Sequence, residues 1–84
     1  MAAHIEIVIT CYIPSDGERT NFPLGIPFSF LLDGPTNIAR LVQILFPQKI
    51  HQVGLIVLNG QIAEPTAEIK EGDRLEFYPP LEGG

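Results

Sequence analysis

The sequence has one cysteine, two histidines, no tryptophan and five basic residues against ten acidic ones. A lone thiol, Cys11, forbids an internal disulfide and so removes the class of small secreted proteins stapled by such bonds. With His4 and His51 as the only imidazoles, no zinc-ligand spacing exists. Nucleic-acid binders gain affinity by neutralising phosphates and are basic for that reason. A formal net charge of −5 argues against that role. No apolar stretch approaches the ~18 residues of a membrane span. The opening residues MAAHIEIVITCY alternate and carry no basic region, so a signal peptide is not expected and the expected compartment is the cytoplasm. There is no GxGxxG and no GxxxxGK[ST], hence no loop to cradle a phosphate. An autonomous enzyme would need a nucleophile with a base, a metal set or such a loop. His4 and His51 read as surface residues, and Glu68, Glu71 and Asp73 as a solvated acidic cluster around a turn rather than a catalytic or calcium-binding one.

What is present fits one small domain. The 84 residues leave room for a single two-layer core and no second domain to close a substrate cleft. Glycine and proline number eight each, a surplus that points to many turns or a special segment, while 45% hydrophobic content is ordinary for a folded chain. Charge is uneven: −3 over residues 1–33, +2 over 34–58 and −4 over 59–84. The last figure makes the C-terminal region a candidate for steering toward a basic partner.

Ile5, Ile7, Ile9, Cys11 and Ile13 fall at every second position and predict a strand with one apolar face, Glu6, Val8, Thr10 and Tyr12 lying opposite. Cys11 on the apolar face predicts a buried structural thiol. Pro14-Ser15-Asp16-Gly17 is turn chemistry. Pro23 and Pro27 cannot donate to a ladder, so residues 18–27 read as a long, partly extended connection before a second strand at Phe28–Leu32. Asp33-Gly34-Pro35-Thr36 leads into a helix with Thr36 as the predicted N-cap. Ile38, Leu41, Val42 and Leu45 make its apolar stripe, Asn37, Arg40 and Gln43 face away, and Pro47 ends it. Leu55–Leu58 suits a buried strand, and Asn59-Gly60 a type I′ turn returning through residues 61–63. Glu64-Pro65 breaks that strand, Glu71-Gly72-Asp73 is a further turn, and Arg74–Tyr78 is the last strand, with Leu75 and Phe77 opposite Glu76 and Tyr78.

Strand, strand, helix, strand, short strand, strand predicts an α+β fold of the β-grasp, ubiquitin-like type. Its mixed sheet of four to five strands is covered on one face by one main helix, and the other face stays open to solvent or a partner. The domain is expected over residues 1–78, with residues 79–84 forming a flexible C-terminal tail. That tail reads Pro79-Pro80-Leu81-Glu82-Gly83-Gly84. Paired prolines favour stiff polyproline II backbone, and two final glycines remove all side-chain bulk. A stiff stalk with a thin tip suits a carboxylate that must reach the bottom of a narrow pocket. An acyl glycine has no stereocentre to epimerise and hinders an attacking thiol or amine little.

EGDRLEFYPPLEGG resembles the C-terminal signature of molybdopterin synthase small subunits, the MoaD-like sulfur carriers. LLDGPTNIARLVQIL and LIVLNGQIA resemble that family's strand-turn-helix and following hairpin. The thiamine-pathway carrier ThiS and ubiquitin-related modifiers share the plan and the closing Gly-Gly, and the paired prolines lean toward the molybdopterin branch. The resemblance covers residues 28–84; over residues 1–27 it consists of a first β-strand, and the proline-punctuated segment before Phe28 departs from the family pattern.

The resemblance implies that Gly84 carries the reacting carboxylate and Gly83 gives it clearance. A ubiquitin-activating-type enzyme would adenylate Gly84 with ATP, and a sulfur donor protein would then allow conversion to a thiocarboxylate. The large subunit of molybdopterin synthase would receive the tail and use its sulfur to build the dithiolene of the molybdenum or tungsten cofactor. Pro79, Pro80, Leu81 and Glu82 would line the partner's tunnel, and Tyr78 would be a partner contact. The chain is then a sulfur-carrying subunit, not catalytic alone, that binds no cofactor itself; ATP belongs to the activating partner. Nucleic-acid and membrane partners are not expected. The thiazole branch and a ubiquitin-like modifier joined to lysines through Gly84 use the same activation chemistry, which the tail does not separate.

Overall fold

The apolar alternation at the start of the chain becomes a strand through the middle of a sheet. A computed structural model describes residues 4–13, 22–47 and 52–80. Among these residues the order is β1 (Ile5–Cys11), β2 (Phe28–Leu32), β3 (Thr36–Asn37), α1 (Ile38–Leu45), β4 (Leu55–Leu58), β5 (Gln61–Ile62), β6 (Glu68–Ile69) and β7 (Arg74–Tyr78). The main sheet runs β2-β1-β7-β4-β5. Its central pair, β1 with β7, is parallel (Val8 opposite Arg74, Cys11 opposite Phe77), and the other pairs are antiparallel. This is the mixed-sheet plan of the β-grasp fold, one helix lying over one face.

Period-two alternation sorts the two faces. Ile5, Ile7, Ile9 and Cys11 of β1 pack with Leu32, Ile56, Leu75 and Phe77 against the helix stripe of Ile38, Leu41, Val42 and Leu45. Phe46, just past the helix, is fully buried and meets Phe22 and Phe77 edge-on at 5.5 and 6.0 Å between ring centroids. Through Phe22, the segment before β2 joins the same core. Beyond β1, Leu24 bridges Cys11 in parallel, and the Gly25 N–H donates to the Cys11 carbonyl at 2.7 Å.

Strands β2, β4 and β7 keep the bounds read from the sequence, and the Asn59-Gly60 turn has the positive φ angles it needs, 52° and 85°. Other expectations are corrected. The helix is capped by Asn37, not Thr36: Asn37 Oδ1 accepts the Arg40 N–H at 2.9 Å. The reason is the β3–β6 ladder, in which Thr36 pairs with Ile69 and Asn37 with Glu68, so the chain stays extended one residue longer. The next two donors of the first turn go to tertiary partners, Ile38 N–H to the Ala67 carbonyl and Ala39 N–H to the Pro65 carbonyl. Strand β4 is not buried on both faces, since Ile56 points inward and Leu55 outward. His4 is exposed, as its reading as a surface residue requires, but lies just before β1 rather than within the first strand. The Pro14–Gly17 turn and His51 lie outside the described residues. Among those residues no helix is long and apolar enough to cross a membrane.

Candidate functional site

Strand β7 ends at Tyr78 between β1 and β4, so the backbone leaves the sheet from its centre rather than from an edge. Both neighbours hold its last residues. The Tyr12 N–H donates to the Phe77 carbonyl and the Gly54 N–H to the Tyr78 carbonyl, each at 2.8 Å. Pro79 follows, exposed, and then Pro80, half-buried. Neither has an N–H, so the ladder stops at Tyr78. Leu81, Glu82, Gly83 and Gly84 lie outside the described residues.

Alternation along β7 buries Leu75 and Phe77 and leaves Glu76 and Tyr78 on the open face. Tyr78 stacks on Tyr12 with ring centroids 4.7 Å apart and planes inclined by 12°. Its hydroxyl donates to Glu76 Oε1 at 2.7 Å. That bond, with partial desolvation and the carboxylate charge, pushes the phenol up to about 12, so Tyr78 stays a neutral donor. Leu55 stands opposite Tyr78 in the register and is 39% exposed; Tyr12 is 41% exposed. The root of the tail therefore carries a strip of two stacked phenols and a leucine on the open sheet face.

Among the described residues, Cys11, Glu71 and Asp73 are used by the fold. Cys11 is fully buried, and burial pushes its thiol up to about 12, which leaves almost no thiolate near neutrality. Glu71 Oε1 accepts the Glu6 N–H at 2.9 Å. Asp73 accepts the Lys70 N–H at 2.8 Å and Asn59 Nδ2 at 3.0 Å. These two carboxylates hold turns to neighbouring strands, while Glu68 occupies β6 opposite Asn37.

Of the residues singled out in the sequence, Tyr78, Pro79 and Pro80 are described and contiguous. Tyr12, Leu55 and Gly54 were not anticipated beside them. Alternation places Tyr12 and Tyr78 each on an outer face, but their stacking follows from β1 lying next to β7, a long-range pairing with no local signal.

A model of the ThiS family matches residues 26–84, well over half of the chain and nearly the same span as the resemblance read from the motifs. No curated protein matches the chain.

Proposed function

The chain belongs to the ThiS family of ubiquitin-like sulfur carriers, which work with an adenylating enzyme and sulfur-transfer partners, and from that premise we propose that Gly84 carries sulfur as a thiocarboxylate for molybdopterin synthesis. The observation that carries the reading is a Pro-Pro-Leu-Glu-Gly-Gly tail rooted on the central strand of a β-grasp sheet. A free carboxylate is a poor acyl donor, so activation comes first. A carboxylate oxygen of Gly84 attacks the α-phosphorus of ATP held by the adenylating enzyme, forming the acyl adenylate as pyrophosphate leaves. Sulfur at the sulfide level, delivered by a donor protein, attacks the acyl carbon. The C–S bond forms, the C–O bond to phosphate breaks and AMP departs, leaving a thiocarboxylate.

In this scheme Gly83 lets the tip pass where any Cβ would clash, and Pro79, Pro80, Leu81 and Glu82 line the partner's tunnel. Tyr78, with Tyr12 and Leu55 around it, contacts the partner's outer surface; aromatic anchors of this kind often dominate interface energetics. The large subunit of molybdopterin synthase then receives the same tail.

Intact mass is the direct test. Incubation with the adenylating enzyme, ATP and a sulfur donor protein is expected to produce a mass gain equal to exchange of one oxygen for sulfur, absent when Gly84 is deleted. No gain with several adenylating enzymes, or a native protein continuing past Gly84, would overturn the reading. Dithiolene formation with molybdopterin precursor and a synthase large subunit assigns the molybdopterin branch. Sulfur delivery only to a thiazole-forming synthase, or Gly84-dependent conjugates in cell extract, assigns one of the other two.

A further inference from the structure

Glycine at position 54 is required by space rather than by backbone conformation. Its φ is not among the left-handed angles found at Gly25, Gly60 and Gly72, so its backbone is open to other residues. Yet a Cβ there would stand 2.3 Å from Cα of Pro80, 2.5 Å from its nitrogen and 2.9 Å from the carbonyl carbon of Pro79, all of them backbone atoms. Ordinary contact begins at 3.4 Å, so even alanine would force the root of the tail to retreat by roughly 1 Å, a displacement that can cost ~100-fold where reacting atoms must be placed. Three features meet here: the last ladder bond from Gly54 N–H to the Tyr78 carbonyl, two prolines that cannot extend the ladder, and a residue without Cβ on which their backbone lies.

We propose that Gly54 is a positioning residue that sets the direction in which the tail leaves the domain. Its consequence for activation rests on the carrier reading above; its geometry does not. Because the Tyr12–Tyr78 stack lies on the open face and Gly54 touches the tail's backbone, Gly54→Ala leaves docking intact and misdirects Gly84. Loss then falls on kcat, not on KM.

Two measurements on the full chain test this. In hydrogen exchange followed by NMR, the wild-type Gly54 amide is expected to be protected at least tenfold relative to an open-loop amide. In Gly54→Ala that protection drops at least tenfold, while the Tyr12 and Asn59 amides, which donate to Phe77 and Arg74, stay within twofold. In ATP–pyrophosphate exchange with the cognate adenylating enzyme, kcat for Gly54→Ala is expected to fall 10–100-fold with KM for the carrier within threefold. An unprotected wild-type Gly54 amide, an unchanged kcat, or a KM rise at constant kcat would each overturn the proposal. Should Gly54→Ala fail to fold, Pro80→Gly loosens the same contact from the tail side and must lower both the protection of the Gly54 amide at least tenfold and kcat, whatever it does to KM, or the proposal falls. Wild-type protein that is protected at Gly54 but never adenylated would instead refute the carrier reading and leave the geometry standing.

Discussion

Removing the cap from α1 separates two readings of one short stretch, TN. Asn37→Ala deletes the acceptor of the Arg40 N–H, a 2.9 Å bond at an exposed helix end. The donors on Ile38 and Ala39 keep their partners, the Ala67 and Pro65 carbonyls. One cap bond is therefore lost and water can replace part of it, so the cost is about 1 kcal/mol, within the ~0.5–2 kcal/mol measured for such caps. In a domain of this size that lowers the thermal midpoint by about 4–8 °C. Thr36→Val removes the hydroxyl but keeps the β-branched shape that suits the β3 ladder, so its cost is expected to be a few tenths of a kcal/mol. Asn37→Asp adds a carboxylate where a helix N-terminus favours one, but places it opposite Glu68, where like charges oppose each other across a ladder. Its net effect is close to zero and turns stabilising once Glu68→Gln is added. Urea melts followed by far-ultraviolet circular dichroism, at matched m-values, measure all four. A Thr36→Val cost equal to or larger than that of Asn37→Ala would refute the assignment.

Three further outcomes follow from the core and the open face. Phe46→Ala should cost about 3–5 kcal/mol, because it empties a fully buried ring site between Phe22 and Phe77; calorimetry should show most of a small domain's stability lost, and a loss below about 1 kcal/mol would contradict the packing. The Cys11 thiol holds its proton in the folded state up to about 12 against 9.0 when free. Its contribution is thus complete below about pH 9 and is lost as pH rises from there toward 12. Urea melts at about pH 8 and pH 10.5 should show a steeper loss for wild type than for Cys11→Ala, and equal losses would refute the burial argument. Glu76→Ala, which removes both the acceptor and the charge, should bring the Tyr78 phenol down from about 12 toward its ordinary 10.0, read by phenolate absorbance; an unchanged titration would show that the 2.7 Å hydrogen bond is not its cause.

Elements with a period of their own were legible in the sequence. Strands β2, β4 and β7, the stripe from Ile38 to Leu45 and the Asn59-Gly60 turn are each specified within a window of a few residues. The two-residue ladder of β3 and β6 was not, because neither TN nor EI has a period; Thr36 and Ile69 pair only once the sheet has closed. The displaced cap follows from that same pairing. Around the tail, chemistry was readable and support was not. Pro79 and Pro80 announce a stalk, whereas Gly54, Tyr12 and Leu55 become its neighbours only through the β1–β7 and β4–β7 registers. Gly54 in particular reads as a strand boundary, since what it accommodates lies far along the chain.

Those same neighbours bear on how one tail chemistry can serve one pathway. The tail spans six residues from Pro79 to Gly84, at most about 22 Å fully extended at ~3.3–3.6 Å per residue. Its origin is fixed by the Tyr78 carbonyl on Gly54, the Tyr78 ring on Tyr12 and the Tyr78 hydroxyl on Glu76. Any partner that acts on Gly84 must therefore bring its reacting groups within that radius of Tyr78 while resting on the surface around it. A Gly-Gly tip has no side chain with which to distinguish an adenylating enzyme from a synthase, or one synthase from another. On the carrier reading, discrimination then falls to the face at the root, where Tyr12 stacks on Tyr78 and the partly exposed Leu55 stands opposite it.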